Sequence, residues 1–293
     1  MDNILFTIGP LSVTLLGVSS ALGVLAGMYV TGREARRVGW DSDVISNAIF
    51  VVIAGALIGA RVYYAVVFAP ESFLANPLRL FAFHEGGLSI QGGLIGGMLG
   101  VAIYARAKRL SFWKTADIFA PGVILGQAIG RVGCDVFGIE ASAGLPWAVS
   151  AGGPALHPVQ LYESMLNYLL FLGLWSLRHR LRRNGDLFLV YVMAFAFNRF
   201  VVEFFRINPE ALGLLTVAHV TSVAMFIVAA ATFLARRMPA LRVAGVAGAF
   251  GAGAGTAPGS DRAADAPRPL ASAGIVIGLM VVSVFVYYLL HAG

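Results

Sequence analysis

The sequence predicts an all-α integral membrane protein, with a core of seven transmembrane helices and one extra transmembrane helix at its C-terminal end. Hydrophobic residues make up 58% of the 293 residues and charged residues only 12%, about half the charged fraction of a typical soluble domain. The mean hydropathy is +0.81. The apolar residues form long runs of the length that crosses a bilayer as a helix, and these runs argue against the short alternating strands of a β-barrel.

Eight apolar segments can each cross a hydrocarbon core about 30 Å thick. Proline at position 158 favours a helix start just before the fifth segment, because proline is well tolerated in the first turn. The eighth contains no Asp, Glu, Lys, Arg or His and is interpreted as an accessory anchor. The predicted spans cover residues 11–31, 46–68, 87–105, 116–137, 161–177, 187–206, 215–235 and 272–290.

Basic residues predict the orientation, because every second connection is rich in arginine and lysine. By the positive-inside rule these connections face the cytoplasm. The N-terminus is then extracytoplasmic, and the loops at 69–86, 138–160 and 207–214 face the outside. The net charge of +6 therefore reflects topology and does not indicate nucleic acid as a partner. The basic residues are Arg33, Arg36, Arg37, Arg106, Lys108, Arg109, Lys114, Arg178, Arg180, Arg182, Arg183, Arg236, Arg237 and Arg242.

The chain divides into three predicted regions. Residues 1–238 are predicted to form a seven-span membrane domain, residues 239–270 a flexible cytoplasmic linker rich in Ala, Gly and Pro, and residues 271–293 the accessory helix. The linker glycines lack both a GxGxxG turn before a helix and a Walker lysine, so they do not predict a phosphate loop.

Arginines inside the predicted spans give the first indication of function. Arg131 lies in the glycine-rich run GQAIGRVGCDVFG at 126–138, and an arginine near the middle of a bilayer helix costs about 2.5–3.5 kcal/mol on insertion scales. Arg61, fifteen residues into the second span, lies about 20 Å above the cytoplasmic side. The same calculation for spans four and six places four residues between the midplane and the outer face: Arg131, Arg199, Glu203 and Arg206.

The sixth span ends in NRFVVEFFR, which places Glu203 four residues after Arg199 and three before Arg206. Both spacings share a helix face. A buried ion pair that only fixes helix packing would explain this motif alone. With Arg61 and Arg131 added, the cations outnumber the carboxylates, which predicts a bound anion. A guanidinium group matches phosphate in a bidentate manner, so a phospholipid headgroup is the expected partner.

The remaining candidates lie in two outer segments. The glycines of GGLSIQGGLIGG at 86–97 suit close helix packing, or a backbone that approaches a ligand. His157 could be a simple helix-entry residue, whereas Glu163, one turn into an apolar helix, needs a partner. The single cysteine, Cys134, precludes an intrachain disulfide and a zinc-type ligand set. We expect no metal and no cofactor.

These motifs resemble the prolipoprotein diacylglyceryl transferase family over residues 1 to about 237. The resemblance implies a seven-span fold with a central cavity open to the bilayer of the bacterial cytoplasmic (inner) membrane. It also implies transfer of the diacylglyceryl group of phosphatidylglycerol to the lipobox cysteine of a prolipoprotein signal peptide, which forms a thioether and releases glycerol phosphate. The motifs are TIGP at 7–10, GARVYY at 59–64, NPLRLF and HEGGLSIQGGLIGG within 76–97, GQAIGRVGC at 126–134, LPW at 145–147, HPVQLYE at 157–163 and NRFVVEFFR at 198–206.

The resemblance also assigns roles to individual residues. Arg131 and Arg199 match essential arginines that hold the headgroup phosphate and stabilise the leaving group, and Glu203 matches the acidic partner that orients Arg199 or Arg206. These three are the predicted catalytic residues. The predicted substrate-binding residues are Arg131, Arg61, Arg206, Gln91, Gly92, Gly93, His157 and Glu163.

The sequence departs from the family pattern at several positions. Gln91 stands where many relatives carry histidine, a proposed base, and glutamine is not a useful proton acceptor. Leu16 replaces a frequent tyrosine, and Cys134 and Phe137 stand where many relatives have asparagine. The proton acceptor stays open among Glu203, Glu163, His157 and a phosphate oxygen. The alternative functions are a lipid or anion transporter, against which the lack of an internal repeat argues, and a non-catalytic lipid-binding relative.

Overall fold

The fold is described from a computed structural model. It covers residues 4–8, 11–67, 69–81, 87–142, 145–150, 153–208, 210–212, 215–238 and 269–291. Within these ranges the chain forms nine α-helices, of which only α3 is short. The helices are α1 (Leu15–Arg37), α2 (Ser42–Val67), α3 (Pro70–Ala75), α4 (Ile90–Ala107), α5 (Phe112–Gly130), α6 (Val159–Leu177), α7 (Asp186–Glu203), α8 (Val217–Arg237) and α9 (Pro269–His291).

Three short antiparallel hairpins accompany the helices: β1 (Ile4–Ile8) with β2 (Leu11–Thr14), β3 (Val149–Ser150) with β4 (Ala155–Leu156), and β5 (Glu210–Leu212) with β6 (Leu215–Thr216). The sequence did not predict them. The first hairpin takes up the beginning of the predicted span 11–31, because residues 11–14 pair with β1. The Thr14 hydroxyl then accepts a hydrogen bond from the Gly17 N–H at 3.1 Å, which caps the start of α1.

The eight long helices coincide with the eight predicted spans, and the all-α membrane class is confirmed. Among the described residues, α1, α2 and α8 are long and apolar enough to cross a membrane by length and composition. The helix α7 is shorter and carries Asp186, Arg199 and Glu203. One boundary matters for the site: the fourth predicted span, 116–137, ends as a helix at Gly130.

The chain forms two compact units. The first lies within residues 1–31, 119–248 and 261–293, and the second within residues 32–118 and 249–260. The division into a catalytic domain, a linker and an accessory helix stays a prediction, because residues 239–268 of the predicted linker lie outside the described residues.

Glycines allow close helix packing inside each unit. In the second unit α2 lies against α4, and a Cβ on Gly55 would come within 2.6 Å of the Gly96 carbonyl oxygen. In the first unit α1 lies against α5, and a Cβ on Gly126 would come within 2.9 Å of the Gly23 carbonyl oxygen. Small residues at such crossings let backbones approach, which accounts for much of the glycine content of these helices.

The core of the first unit lies among α5, α6, α7 and α9. Ile124, Ala128, Tyr168 and Leu174 are completely buried there. The helix α9 contributes Val276 to this cluster, and Tyr287 to a second cluster. The helices α5 to α7 are thereby held so that the end of α5, the beginning of α6 and the end of α7 come together.

Candidate active site

Four helix termini of the first unit bring charged and polar groups together. Arg131 begins a 3₁₀ turn, Arg131–Gly133, directly after α5. Glu163 lies in the second turn of α6, Glu203 is the last residue of α7, and Thr216 is the N-cap of α8. The helix α5 ends before Arg131, so this arginine is presented from a turn and not from the continuous helix that the sequence predicted.

A chain of ion pairs connects these termini. Arg131 Nη2 lies 2.9 Å from Glu163 Oε1, and the other oxygen of Glu163 lies 3.9 Å from Arg206 Nη1. Arg206 Nε lies 3.7 Å from Glu203 Oε2, which in turn lies 3.0 Å from Arg199 Nη2. Five sequence-predicted residues, delivered by three helices and the segments that follow them, therefore form one cluster, with Arg206 between the two carboxylates.

The cluster carries one net positive charge, because three guanidinium groups face two carboxylates. The side chains of Glu163 and Glu203 are 4% and 0% exposed, whereas those of Arg131, Arg199 and Arg206 are 17%, 23% and 19% exposed. The Nη1 atom of Arg199 is buried, yet it has no hydrogen-bond partner among the described residues. Glu163 Oε2 and Glu203 Oε2 also have no hydrogen bond among the described residues. The excess positive charge is therefore the feature that suits the cluster to receive an anion.

Two residues that the sequence analysis missed hold Glu203 in place. Asn208 Nδ2 and the Thr216 hydroxyl donate to Glu203 Oε1 at 2.6 Å and 2.7 Å. Thr216 also forms a capping box with His219, in which the His219 N–H donates to Thr216 Oγ1 and the Thr216 N–H donates to His219 Nδ1. A threonine three residues before a possible cap partner was a usable local signal for this helix start. The contact of Thr216 with Glu203 had no such local signal in the sequence.

The position of Arg206 depends on a glycine. Gly138 pairs with Arg206 as an isolated antiparallel bridge, and the Ile139 N–H donates to the Phe205 carbonyl at 2.9 Å. A Cβ on Gly138 would overlap the Phe205 carbonyl oxygen and the Val159 side chain. Glycine is therefore needed here for close backbone approach.

We predict that Gly138→Ala lowers the turnover rate at least about tenfold. The added methyl group must displace the backbone next to Arg206, and a misplacement of about 1 Å is costly in an active site. The measurement is the turnover rate of purified protein, with the inserted amount determined in parallel. Gly153→Ala is the matched control, since a Cβ there meets no atom of the described residues within 4 Å. Equal activity in the two variants would show that Gly138 does not position Arg206.

His157 lies beside the cluster in a chain of aromatic contacts. The Trp147 indole N–H donates to Tyr162 Oη at 2.9 Å, and His157 Nδ1 lies 2.9 Å from the same hydroxyl. The His157 ring also contacts the Phe205 ring, with centroids 5.2 Å apart. His157 is thus held by Tyr162 and Phe205, the direct chain neighbours of Glu163 and Arg206.

The other predicted site residues lie in the second unit. Arg61 is 3% exposed, and its guanidinium group donates to the carbonyls of Arg79, Leu80 and Gly87 at 2.6 Å, 3.3 Å and 3.2 Å. It therefore fixes the connection between α2 and α4, a role that the sequence did not predict, and its predicted contact with substrate stays a prediction.

Gly92 and Gly93 both face α2. A Cβ on Gly92 would overlap the Gly59 carbonyl, and one on Gly93 would lie 3.6 Å from the Ala56 carbonyl oxygen. This supports the packing explanation that the sequence also offered, and a contact of either glycine with substrate stays a prediction. The side chain of Gln91 lies outside the described residues.

The fold and the cluster define a class: a helical membrane protein whose bundle gathers arginines, with one excess positive charge, at the termini of several helices. A family model for prolipoprotein diacylglyceryl transferase matches residues 3–235, and the chain belongs to this family. The resemblance seen in the motifs is thereby confirmed.

Curated relatives of the same kind cover most of the chain. The phosphatidylglycerol–prolipoprotein diacylglyceryl transferase of Bacillus cytotoxicus is 35% identical over 252 residues, which are 81% of this chain and 93% of the relative. The protein of that name from Clostridioides difficile is 37% identical over 225 residues, 76% of this chain and 90% of the relative. The Bacillus cereus protein is 34% identical over 251 residues, 81% and 93% of the two chains.

Proposed function

We propose that this protein transfers the diacylglyceryl group of phosphatidylglycerol to the lipobox cysteine thiol in the signal peptide of a prolipoprotein. The proposed location is the bacterial cytoplasmic membrane, with the N-terminus and the cluster on the extracytoplasmic side. Family membership and the names of the relatives support the reaction. The observation that carries the site assignment is the cluster of two buried carboxylates and three partly buried arginines, which has one excess positive charge.

The reaction requires a cation at the place where negative charge develops. The cysteine sulfur attacks the glyceryl carbon that bears the phosphate, a C–S bond forms, and the C–O bond to the phosphate breaks. The electron pair of the broken bond leaves with glycerol phosphate, and the thiol proton passes to an acceptor. Fixed positive charge in a site of low dielectric stabilises such a leaving group strongly.

We assign Arg131 and Arg199 to the phosphate. Both can present two N–H groups to two phosphate oxygens, and a guanidinium group stays charged at any working pH. Arg199 has a buried donor available, and Arg131 is only 17% exposed at the edge of the cluster. In this assignment Glu203 orients both neighbouring arginines, since its Oε2 atom contacts Arg199 and Arg206.

The contacts narrow the choice of proton acceptor. Glu163 and Glu203 each pair with two arginines, so protonation of either carboxylate would weaken contacts that hold the cluster. Protonation of His157 does not weaken any of these ion pairs. If its Nδ1–H donates to Tyr162 Oη, the Nε2 lone pair is available for the thiol proton. We therefore favour His157 over the two carboxylates as the acceptor.

Gln91→Ala is predicted to lower turnover less than tenfold, because an amide side chain is not a useful proton acceptor and the other predicted roles do not depend on it. The measurement is the rate of peptide lipidation at saturating lipid, compared with that of Arg199→Ala in the same preparation. A loss as large as that of Arg199→Ala would assign Gln91 a direct part in the reaction.

The proposed function is tested with purified full-length protein, phosphatidylglycerol and a synthetic lipobox peptide, with the product identified by mass. The expected product is a peptide heavier by one diacylglyceryl group. A peptide with serine in place of cysteine and a reaction with phosphatidylcholine are the controls, and both should give no product. Folded protein that leaves the cysteine peptide unchanged would contradict the transferase and favour a transporter or a non-catalytic relative.

A further inference from the structure

Helix α9 is attached to α6 by buried polar contacts, which a simple anchor does not require. The Tyr287 hydroxyl accepts a hydrogen bond from Gln160 Nε2 at 2.8 Å, and both residues are at most 1% exposed. Tyr168 Oη and Ser283 Oγ lie 2.8 Å apart, also in the interior. Buried hydroxyl groups are costly without a partner, so these two pairs fix both the rotation and the axial position of α9 on α6.

Tyr287 shares an apolar cluster with residues that are close in the chain to Arg131 and Glu163. It is completely buried in one apolar cluster with Val132, Val149 and Leu161. Val132 follows Arg131 in the 3₁₀ turn, and Leu161 lies two residues before Glu163 on α6. Tyr287 is thus hydrogen-bonded to the α6 segment that carries Glu163, and it shares an apolar cluster with Val132 of the turn that carries Arg131. The atoms of the Arg131–Glu163 ion pair are 2.9 Å apart.

A second contact reaches the aromatic residues beside the cluster. The Tyr288 hydroxyl donates to the Trp147 carbonyl at 2.7 Å, and the Trp147 indole N–H donates to Tyr162, which precedes Glu163. Neighbouring side chains on α9 therefore hold the turn after α5, the first turns of α6 and the loop that contains Trp147.

The family match does not account for this helix, because it ends at residue 235 and α9 begins at Pro269. We infer that α9 is a positioning element of the active site and that Tyr287 holds the Arg131–Glu163 pair in its catalytic geometry through Gln160 and Val132. This inference rests on the proposed function for its effect on turnover. The geometric part can be measured without turnover.

The test compares Tyr287→Phe with Tyr29→Phe in the full-length protein. Both changes delete one phenolic hydroxyl, but Tyr29 is 64% exposed on α1. Tyr287→Phe is expected to lower kcat about three- to tenfold, the range that corresponds to one hydrogen bond, with KM for phosphatidylglycerol changed less than twofold. Tyr29→Phe is expected to match the wild type. In a double-mutant cycle, Gln160→Met should add no further loss in the Tyr287→Phe background.

Hydrogen exchange supplies the readout that does not need catalysis. Backbone amides of residues 131–134 and 160–164 are expected to exchange faster in Tyr287→Phe than in the wild type, and to be unchanged in Tyr29→Phe. Exchange and kcat both equal to those of the wild type would overturn the inference. An inactive wild type would contradict the proposed function instead, and the exchange comparison would then still decide whether α9 positions these segments.

Discussion

Arg131→Ala and Arg199→Ala are each expected to abolish diacylglyceryl transfer, with a fall in kcat/KM of at least about 100-fold. Removal of one donor from a preorganised anion site in an enzyme typically costs 10²–10³ in rate. Arg199→Ala removes the Nη1 donor, which has no acceptor among the described residues, and Arg131→Ala removes the guanidinium group whose Nη2 atom lies 2.9 Å from Glu163 Oε1. The measurement is peptide lipidation by purified protein, normalised to the folded, inserted fraction.

Two further variants make this result specific. Arg180→Ala removes an exposed arginine from a loop that is predicted to be cytoplasmic, and it should retain wild-type activity. Arg199→Lys should restore only part of the activity, because an ammonium group supplies the charge without the planar fork. Full activity in Arg131→Ala or in Arg199→Ala would refute the assignment of that arginine to the phosphate.

Glu203→Gln is expected to weaken both the structure and the reaction. The carboxylate is completely buried, pairs with two arginines and accepts hydrogen bonds from Asn208 and Thr216. Glutamine has nearly the same shape but no charge, so three guanidinium groups would share a single carboxylate. Removal of one partner from a buried ion pair costs roughly 3–5 kcal/mol, so we expect a lower unfolding temperature and at least about a tenfold fall in kcat/KM.

The matched control for this variant is Glu140→Gln. Glu140 is an exposed carboxylate, and the same change there should leave both the unfolding temperature and the activity unaltered. Thermal unfolding in detergent and the lipidation assay, applied to both variants, separate the effects on stability and on rate. If Glu203→Gln behaves like Glu140→Gln, the cluster does not depend on this carboxylate.

The helices were predictable from the sequence because each is encoded by its own run of apolar residues. A run of about twenty apolar residues forms a helix in a bilayer whatever its neighbours are, so the predicted spans and the observed helices coincide within a few residues at most ends. The largest difference is at the end of the fourth span, which was predicted at 137 and lies at Gly130. The later start of the first helix has a tertiary cause, since residues 11–14 pair with a strand that precedes them. Extended pairing of this kind leaves little trace in hydropathy.

The site was predictable only in part, because sequence spacing reveals contacts within one helix but not contacts between distant segments. The Arg199–Glu203 pair follows from a four-residue spacing on one helix, and the distance of 3.0 Å agrees with it. The pairing of Arg131 with Glu163 joins segments that are distant in the sequence, so it required coordinates. Tyr287 is the clearest example. The predicted span 272–290 contains no Asp, Glu, Lys, Arg or His, so it resembles an anchor until the hydrogen-bond partner of the Tyr287 hydroxyl is known.

An experimental structure of the full-length protein with phosphatidylglycerol bound will show whether the arginine cluster binds the phosphate of this lipid. We expect phosphate oxygens at hydrogen-bond distance, about 2.7–2.9 Å, from guanidinium nitrogens of both Arg131 and Arg199. A headgroup bound elsewhere, with these two arginines still paired only to Glu163 and Glu203, would contradict this expectation.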